Sequence, residues 1–357
     1  MKRRLASAAV VVSVLAAACA PAVPLQPSGA QTSATAQPLM KLKVGVAVTP
    51  TPALPESTIW LARDLGFYQK EGLDVEITEV EATPSVITAM RTGDVDVGDI
   101  NSEDVIRLTA SKDLEMRTIN SASGRNFFMI VGKNSVGSVS ELAGKSYAIA
   151  RVGSQDHALS SKVLGVKGLP ADAVNYVAIG APNVRAQALV AGQIDATTVS
   201  LGTWVTIQNQ PSLKVLVGVD DYYNSVPLVN KGNAVTTKVL AEKPEALRRF
   251  TAAIIKTSRY LADNKSAWVD GMSKLRPDLA RSDLEYLWDQ FGASWAVNGQ
   301  LNVSAYQTST DFLYETGTFP DLPKIGAADW TDTEFVDSVL HDVGVAPNVD
   351  DPGRSIK

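Results

Sequence analysis

The chain has 357 residues, of which 45% are hydrophobic, and its 33 basic and 38 acidic residues give a formal net charge of −5. Beyond the first few positions it has no basic run and no stretch of about 20 apolar residues, which argues against a nucleic-acid partner and a transmembrane helix. Cys19 is the only cysteine, so no internal disulfide can form and the folded part must be held together by its apolar core.

The N-terminus has the pattern of a secretory signal. Three basic residues precede a short apolar run that ends in alanines and Cys19, the position at which a bacterial lipoprotein is cleaved and lipidated. We predict that residues 1–18 are a signal peptide and that Cys19 carries the lipid. Leu15 lies four residues before the cysteine rather than the usual three, which leaves cleavage after Ala18 and an unmodified thiol as the alternative.

Residues 19–40 have the composition of a flexible tether. They are rich in Pro, Ala, Ser, Thr and Gln, carry no charge and show no hydrophobic period. Such a tether behind a lipid anchor would hold the folded part beside a membrane. Without the signal peptide, 30 basic residues face 38 acidic ones, which is a net charge of −8.

The first predicted elements form a strand–helix–strand unit. Residues 41–48, KLKVGVAV, alternate apolar and polar side chains and predict a strand, and residues 59–70 carry apolar side chains on one helical face. Gly72 suits a left-handed helix end, and the stretch LDVEI that follows it predicts a second strand. A strand, a helix and a strand in this order predict a parallel pair with a right-handed crossover.

Two stretches 99 residues apart repeat one pattern. Residues 87–97, ITAMRTGDVDV, and residues 186–196, AQALVAGQIDA, each combine a helix end, a glycine and the start of a strand. The part of the chain after the tether is roughly 310 residues long, which is more than one hydrophobic core usually supports. The repeat and the length together predict two similar α/β lobes.

The rest of the chain continues this alternation and then becomes helical. We predict strands at residues 146–150, 174–179, 194–199 and 214–219, and helices at residues 152–164 and 183–191. After Pro244 the pattern is almost wholly helical, so we expect this tail to pack back on the first lobe.

Side chains for catalysis or metal binding are few. His157 and His341 are the only histidines, neither belongs to an HExxH spacing, and no GxSxG, GxxxxGK[ST] or GxGxxG motif occurs. A Ser/His/Asp triad built on His157 stays open, but a surface or helix-capping histidine is the favoured interpretation. The sequence predicts a binding protein rather than an enzyme, with no cofactor and no metal.

The loops that follow strands hold the polar side chains that could bind a ligand. In open α/β sheets, ligands bind beyond the carboxyl ends of strands, where helix N-termini offer free N–H groups. Four such loops combine hydroxyl or amide side chains with a helix start, which predicts a binding cleft between the lobes. With one arginine added, the predicted ligand-binding residues are Thr49, Thr58, Trp60, Asn101, Ser102, Arg125, Gly153, Ser154, Gln155, Ser200 and Trp204.

Several stretches carry a family resemblance: the signal with Cys19, IWLARDLGFYQKEGLDVEI, the paired TGDVDVGDI and AGQIDATTV, and ELAGKSYAIARVGS. Over residues 42–320 the chain resembles the periplasmic solute receptors of ABC importers for nitrate, taurine, alkanesulfonates and thiamine pyrimidine precursors. The resemblance implies the type II binding-protein fold. In that fold two α/β lobes, each a mostly parallel sheet flanked by helices, are joined by two crossing strands and followed by a helical tail.

The resemblance also implies domain boundaries. Lobe I would hold residues 41–125 and 232–350, lobe II residues 126–231, and the crossings would lie near residues 125–131 and 226–234.

By the same resemblance, the protein would be an extracytoplasmic, monomeric lipoprotein on the outer face of the membrane. It would capture a small polar organic solute between its lobes and deliver it to the permease and ATPase subunits of an importer. A nitrate, sulfonate or taurine receptor of the same fold is one alternative, and a pyrimidine-precursor synthase or hydrolase is another. The yeast-type synthases of this family carry a cysteine cluster that this sequence lacks, so their activity is not carried over.

Two ligand chemistries stay open. Arg125 and Arg151 could pair with an anion, but Asp99 and Asp156 at the same rims would repel it unless they pair with these arginines. A planar ring could instead stack on the aromatic side chains of Trp60, Trp204, Tyr222 and Tyr223. We favour a neutral or amine-bearing heteroaromatic, such as a pyrimidine or a related vitamin precursor.

Overall fold

The computed structural model describes residues 38–47, 50–80, 82–226, 228–229 and 231–347. Its strands form two five-stranded sheets, in the orders β2-β1-β3-β10-β4 and β7-β6-β8-β5-β9. The strands are β1 (Met40–Val46), β2 (Leu73–Glu79), β3 (Val97–Asn101), β4 (Met116–Asn120), β5 (Phe128–Lys133), β6 (Ser146–Ile149), β7 (Asn175–Ala178), β8 (Ala196–Ser200), β9 (Leu213–Val217) and β10 (Lys231–Thr236).

The two sheets share one topology. Each has two parallel pairings around one strand: β1 pairs with β2 and β3 in one sheet, and β6 pairs with β7 and β8 in the other. Each also takes in one strand that is antiparallel to both neighbours, β10 in the first sheet and β5 in the second. The sheets are therefore mixed rather than mostly parallel, because each receives a strand at the point where the chain crosses between lobes.

Two crossings join the lobes. The chain leaves the first sheet after β4 and enters the second at β5, through residues 121–127, which we name the first crossing segment. It returns to the first sheet through residues 226–230, which we name the return segment and of which Val226, Leu228 and Val229 are described. The two-lobed architecture expected from the family resemblance is confirmed, while the exact lobe boundaries stay a prediction.

Helices cover the faces of both sheets, and none of those described is long and apolar enough to cross a membrane. They are α1 (Thr58–Asp64), α2 (Phe67–Lys70), α3 (Thr83–Thr92), α4 (Ser102–Ala110), α5 (Gln155–Val166), α6 (Pro182–Val190), α7 (Leu201–Trp204), α8 (Val219–Ser225), α9 (Thr237–Glu242), α10 (Pro244–Asp263), α11 (Lys265–Leu275), α12 (Arg281–Phe291), α13 (Val303–Glu315) and α14 (Glu334–Val343).

Glycines with positive φ mark the ends of several helices. The single helix predicted over residues 59–70 is two helices, because Gly66 has a φ of 74° and breaks the chain between α1 and α2. Gly93 and Gly192, the shared glycines of the sequence repeat, have φ values of 83° and 73° and lie shortly before β3 and β8. The repeat therefore marks equivalent helix-to-strand turns in the two sheets.

The C-terminal helices contact both lobes. As expected, α10 packs on the first lobe, where Leu247 and Phe250 share an apolar cluster with Val44 of β1. The expectation was incomplete, however, because α11 and α12 belong to a cluster that includes β8 and α7 of the second lobe. The ring of Phe291 in α12 lies 5.3 Å from that of Phe127 in the first crossing segment. The tail therefore braces the crossing between the lobes.

Candidate functional site

A cavity of about 50 Å³ lies at the base of the cleft, where the crossing and return segments meet. Lobe I supplies Glu56, from the short 3-10 helix Pro55–Ser57, and α8 of lobe II supplies Tyr223. Other polar residues of its wall come from the first crossing segment, the first residue of β10, the loop before α13 and the first turns of α13. They include Arg125, Lys231, Gln300 and Tyr306. Elements of both lobes and of the C-terminal tail thus enclose one space.

Four buried polar atoms of this wall have no hydrogen-bond partner among the described residues. They are Glu56 Oε2, Arg125 Nε, Gln300 Nε2 and the Tyr306 hydroxyl. A buried polar group without a partner costs about 1–3 kcal/mol, so native proteins leave few of them. Four on one cavity wall indicate a place where a bound molecule supplies the missing hydrogen bonds.

The charges around the cavity favour a ligand that is not an anion. Glu56 is partly buried as a residue, yet its Oε2 is enclosed, and burial raises the pKa of this carboxyl to about 7. Its own backbone N–H opposes the shift, Asp99 adds to it and Lys231 opposes it. Lys231 Nζ lies 3.3 Å from Asp99 Oδ2, so this cation is already neutralised.

Arg125 is likewise engaged within the chain. Its Nη2 lies 2.9 Å from Asp220 Oδ1, and its guanidinium carbon lies 4.3 Å from the ring centre of Tyr223. When Glu56 is ionised, the three carboxylates of Asp99, Asp220 and Glu56 face the two cations of Lys231 and Arg125, which leaves one negative charge. Arg125 Nε has no partner among the described residues and can donate a hydrogen bond to a neutral acceptor on a ligand.

A second contact between the lobes lies at the N-terminus of α5. Glu103, in the first turn of α4, accepts a hydrogen bond at Oε2 from the backbone N–H of Gln155 over 2.7 Å. Arg151 Nη2 lies 2.9 Å from Glu103 Oε1. The side-chain amide Nε2 of Gln155 donates to the Val229 carbonyl in the return segment, over 3.1 Å. This contact uses the chain's own groups on both sides.

The loop after β1 contributes Glu56 to the cavity, but Glu56 was not one of the predicted residues. Of the three residues predicted from this part of the chain, the two that the structure describes lie elsewhere. Thr49 lies outside the described residues. Thr58 is buried at the start of α1, and its hydroxyl has no partner among the described residues. Trp60 is 1% exposed in the core of lobe I, and its indole N–H donates to Glu79 Oε1 over 2.6 Å. Trp60 therefore packs in the core and does not line the cavity.

The predicted residues at the other strand ends act mainly as helix starts. Asn101 ends β3, and Ser102 begins α4 beside Glu103. Ser154 and Ser200 accept hydrogen bonds from backbone N–H groups of α5 and α7, over 3.2 and 3.1 Å.

The remaining predicted residues lie outside the cavity wall, apart from Arg125. Gly153, with a φ of 76°, precedes the α5 cap, and Gln155 lies in the inter-lobe contact. Trp204 packs against the apolar cluster that holds α11 and α12. Of the predicted residues that the structure describes, Arg125 alone lines the cavity.

The structure pairs the rim aspartates differently from the sequence analysis, which considered Arg125 and Arg151. Asp99 pairs with Lys231, as described above. Asp156 pairs with Arg185, whose Nη2 lies 3.2 Å from Asp156 Oδ1, and it also accepts the backbone N–H of Ala150.

His157 has a capping role. Its Nδ1 accepts the backbone N–H of Gly153 over 3.2 Å, and its ring lies edge-on, 4.5 Å from that of Tyr176. Burial lowers the pKa of this imidazole, with Asp156 opposing the shift.

The cavity residues that were missed from the sequence include the three that carry unpartnered polar atoms beside Arg125: Glu56, Gln300 and Tyr306. Glu56 lies inside a loop that was predicted to bind, and a carboxylate directly after Leu54 and Pro55 was a usable signal. Gln300 has a φ of 47°, a left-handed conformation that a non-glycine residue rarely adopts, but only the structure reveals it. Tyr306 comes from a helix far along the chain, and no local pattern links it to Glu56.

Two sheets of one topology, two crossings and a cavity between the lobes define the periplasmic binding-protein fold. Residues 56–267 match the model of a family described as "NMT1/THI5 like". The chain belongs to this family.

Known proteins similar to this chain include binding proteins. A Brucella abortus protein whose name describes a binding protein is 25% identical over 231 residues, which cover 63% of this chain and 69% of that protein. The alkanesulfonate-binding protein SsuA of Xanthomonas axonopodis pv. citri, bound to MOPS, superposes with a TM-score of 0.66 at 16% identity, covering 83% of this chain and 99% of SsuA. The nitrate-binding protein NrtA of Synechocystis gives a TM-score of 0.67 at 15% identity, with 88% and 93% covered. At these identities the structural likeness shows the shared fold.

Proposed function

We propose that the protein is the extracytoplasmic substrate-binding component of an ABC importer. It captures a small polar organic solute between its lobes and delivers it to a membrane permease and its ATPase. The observation that carries this proposal is the convergence of four unpartnered polar atoms, from Glu56, Arg125, Gln300 and Tyr306, on one cavity between the lobes. The binding-protein fold and the names of the similar proteins support the assignment to an importer.

The ligand class follows from the chemistry of these atoms. Glu56 offers a carboxylate oxygen that needs an N–H donor, whereas Arg125 Nε and Gln300 Nε2 need acceptors. A small heteroaromatic with an exocyclic amine and ring nitrogens, such as an aminopyrimidine, supplies both kinds of group. Nitrate or a sulfonate supplies acceptors alone and would place its charge beside Glu56.

In this proposal binding does not alter the ligand. His157 caps α5, and Ser154 donates its hydroxyl to the Arg151 carbonyl over 2.8 Å, so neither is set up as a base and nucleophile pair. A synthase or hydrolase remains the competing class of protein, and it is tested below.

The location of the protein follows from the N-terminal sequence. We propose that Cys19, which lies outside the described residues, is lipidated and holds the folded part as a monomer at the outer face of the membrane. Two acyl chains and an amide-linked third would give durable attachment, because a single chain binds only marginally. Cys19→Ala should release the protein from the membrane fraction, whereas a freely titratable thiol in cell-derived protein would contradict the anchor.

Thermal-shift screening of the purified protein tests the ligand class. Aminopyrimidines, other vitamin precursors, alkanesulfonates, taurine, nitrate and amino acids are compared at equal concentration. A ligand at 100 times its Kd should stabilise the protein by about 2.7 kcal/mol. Selective stabilisation by an amine-bearing heterocycle supports the proposal, and selective stabilisation by nitrate or a sulfonate overturns the ligand class. Mass spectrometry of the bound compound after a day should recover it unaltered; a converted product would show an enzyme.

A further inference from the structure

The contact between Glu103 and α5 joins side chains and backbone of different lobes. Glu103 belongs to α4, which follows β3 of the first sheet, and Gln155 begins α5, which follows β6 of the second. The Glu103 side chain is 3% exposed, and both of its oxygens lie against groups of the other lobe, Arg151 and the Gln155 N–H. Burial raises the pKa of Glu103 and Asp104 adds to this, while Arg151 and the Gln155 N–H oppose the shift.

The position that Glu103 fills is one that favours an anion. Gln155 is the first residue of a 12-residue helix, and its N–H has no acceptor within the helix. The N-terminal end of the helix dipole and the Arg151 guanidinium add positive potential at the same point. Here the negative group is supplied by the chain itself rather than by a ligand.

We propose that Glu103 is a specificity-determining residue: it fills the anion position at the N-terminus of α5 when the lobes meet and thereby excludes anionic ligands from it. The inference deepens the proposed function, because it concerns which ligands the cleft admits. A ligand anion would have to displace Glu103, and the displaced carboxylate would remain close by as a like charge.

The charges that surround this position reinforce the exclusion. Asp104, 2% exposed at its side chain, is the next residue along α4 and pairs with Arg107 and, at 3.8 Å, with Arg151. An anion that replaced Glu103 would therefore still meet a buried carboxylate. The single exchange of Glu103 for a small neutral residue leaves Arg151 and the helix N-terminus available to an external anion.

Calorimetric titration with methanesulfonate and with nitrate tests the inference. The wild type, Glu103→Ala and the control Glu115→Gln are compared; Glu115 is exposed and follows α4 in lobe I. The freed N–H and guanidinium should donate charge-assisted hydrogen bonds to the anion, so Glu103→Ala should bind it roughly tenfold or more tightly than both the wild type and the control do. Should Glu103→Ala fail to fold, Glu103→Ser carries the same expectation.

A second pair of variants locates the gained anion. Proline is favoured at the first position of a helix and lacks an N–H, and Ser154 before it has the extended φ and ψ of −75° and 161° that a following proline requires. In the Glu103→Ala background, Gln155→Ala sets the baseline for loss of the side chain. Gln155→Pro should lower anion affinity severalfold below that baseline, because it also removes the N–H.

The outcomes separate this inference from the proposed function. A folded Glu103→Ala protein with no gain in anion affinity, or a gain equal in the Gln155→Ala and Gln155→Pro backgrounds, overturns the role of Glu103. A gain in anion affinity in a protein that binds no amine-bearing heterocycle keeps the role of Glu103 and overturns the ligand class alone.

Discussion

The cavity at the base of the cleft and the contact at α5 are both places where the lobes meet, yet their polar groups are in opposite conditions. In the cavity, Glu56 Oε2 and the Tyr306 hydroxyl are buried without partners among the described residues. At α5, both oxygens of Glu103 are engaged, one by the Gln155 N–H and one by Arg151. One region has hydrogen bonds left to make, and the other has made them within the chain.

This difference separates binding from closure. Unmet hydrogen-bonding capacity makes a ligand energetically useful, because the ligand removes a penalty that the unliganded protein carries. Groups that are already paired gain little from a ligand, but they favour the arrangement in which the lobes touch. Substitutions in the cavity should therefore weaken ligand binding and can raise the stability of the unliganded protein. Substitutions at the α5 contact should instead weaken the contact between the lobes.

The largest expected effect is on ligand affinity at the cavity. Glu56→Gln should weaken binding of an amine-bearing ligand about 30- to 100-fold, because a charge-assisted hydrogen bond contributes roughly 2–3 kcal/mol. Isothermal titration calorimetry measures the change. Glu141→Gln, on the 3-10 helix Val139–Leu142, serves as the control and should bind as the wild type does. Equal affinity of all three proteins would show that the ligand does not contact Glu56.

The next effect concerns stability against pH in the absence of ligand. The pKa of Glu56 is about 7 in the folded protein against an ordinary value of 4.5, so the folded state binds the proton more tightly than the unfolded state does. The stability from this group is fully present below pH 4.5 and is lost as the pH rises to about 7. Because Glu56 is partly exposed, we set the contribution of this pKa shift to the free energy of unfolding at roughly 2 kcal/mol, below what the full shift would give.

Other groups titrate over the same range, so the informative quantity is the difference between two proteins. Urea unfolding of the wild type and Glu56→Gln at a series of pH values should give a free-energy difference that changes by roughly 2 kcal/mol between pH 4.5 and 7.5. A difference that stays constant with pH would mean that Glu56 is not enclosed as described.

The sequence was sufficient for the architecture because its signals there are local. Gly93 and Gly192 end helices before buried strands, and each local pattern needs only about ten neighbouring residues to be recognised. The antiparallel insertion of β5 and β10 is not local: each strand joins a sheet whose other members lie elsewhere in the chain. The same holds for α12, whose contact with Phe127 depends on residues 164 positions apart.

The candidate site was less predictable for the same reason. Ser154 and Ser200 have the residue type of a binding loop, but they cap their own helices, and helix capping has the same sequence pattern. The cavity combines Glu56 with Tyr306, 250 positions later, and depends on which hydrogen bonds the fold leaves unmade. Arg125 was predicted as a basic group that could pair with an anionic ligand, and it does line the cavity, although its guanidinium already pairs with Asp220.

At the α5 contact we expect a smaller effect, on closure. Arg151→Ala removes one of the two partners of the Glu103 carboxylate, so the touching arrangement should lose about 1 kcal/mol, with the half-exposed arginine limiting the loss. Small-angle scattering should then show a larger radius of gyration for unliganded Arg151→Ala. Arg63→Ala, which breaks an ion pair within α1 of lobe I, provides the control and should leave the radius unchanged. The same radius for all three proteins would show that the Glu103 contact does not hold the lobes together.

The smallest effect, and the one whose sign best separates paired from unpaired groups, concerns buried tyrosines. Tyr306 is 0% exposed, its ring lies 5.1 Å from that of Trp330, and its hydroxyl has no partner among the described residues. Tyr306→Phe keeps the ring packing and removes an unsatisfied group, so it should raise unliganded stability by about 0.5–1 kcal/mol and weaken ligand binding. Tyr147 is equally buried, but its hydroxyl lies 2.6 Å from Thr198 Oγ1, so Tyr147→Phe should lower stability by about 1 kcal/mol. Urea unfolding of both variants measures the two changes in stability. If Tyr306→Phe lost as much stability as Tyr147→Phe, the Tyr306 hydroxyl would already have a hydrogen-bond partner in the unliganded protein and would not be available to a ligand.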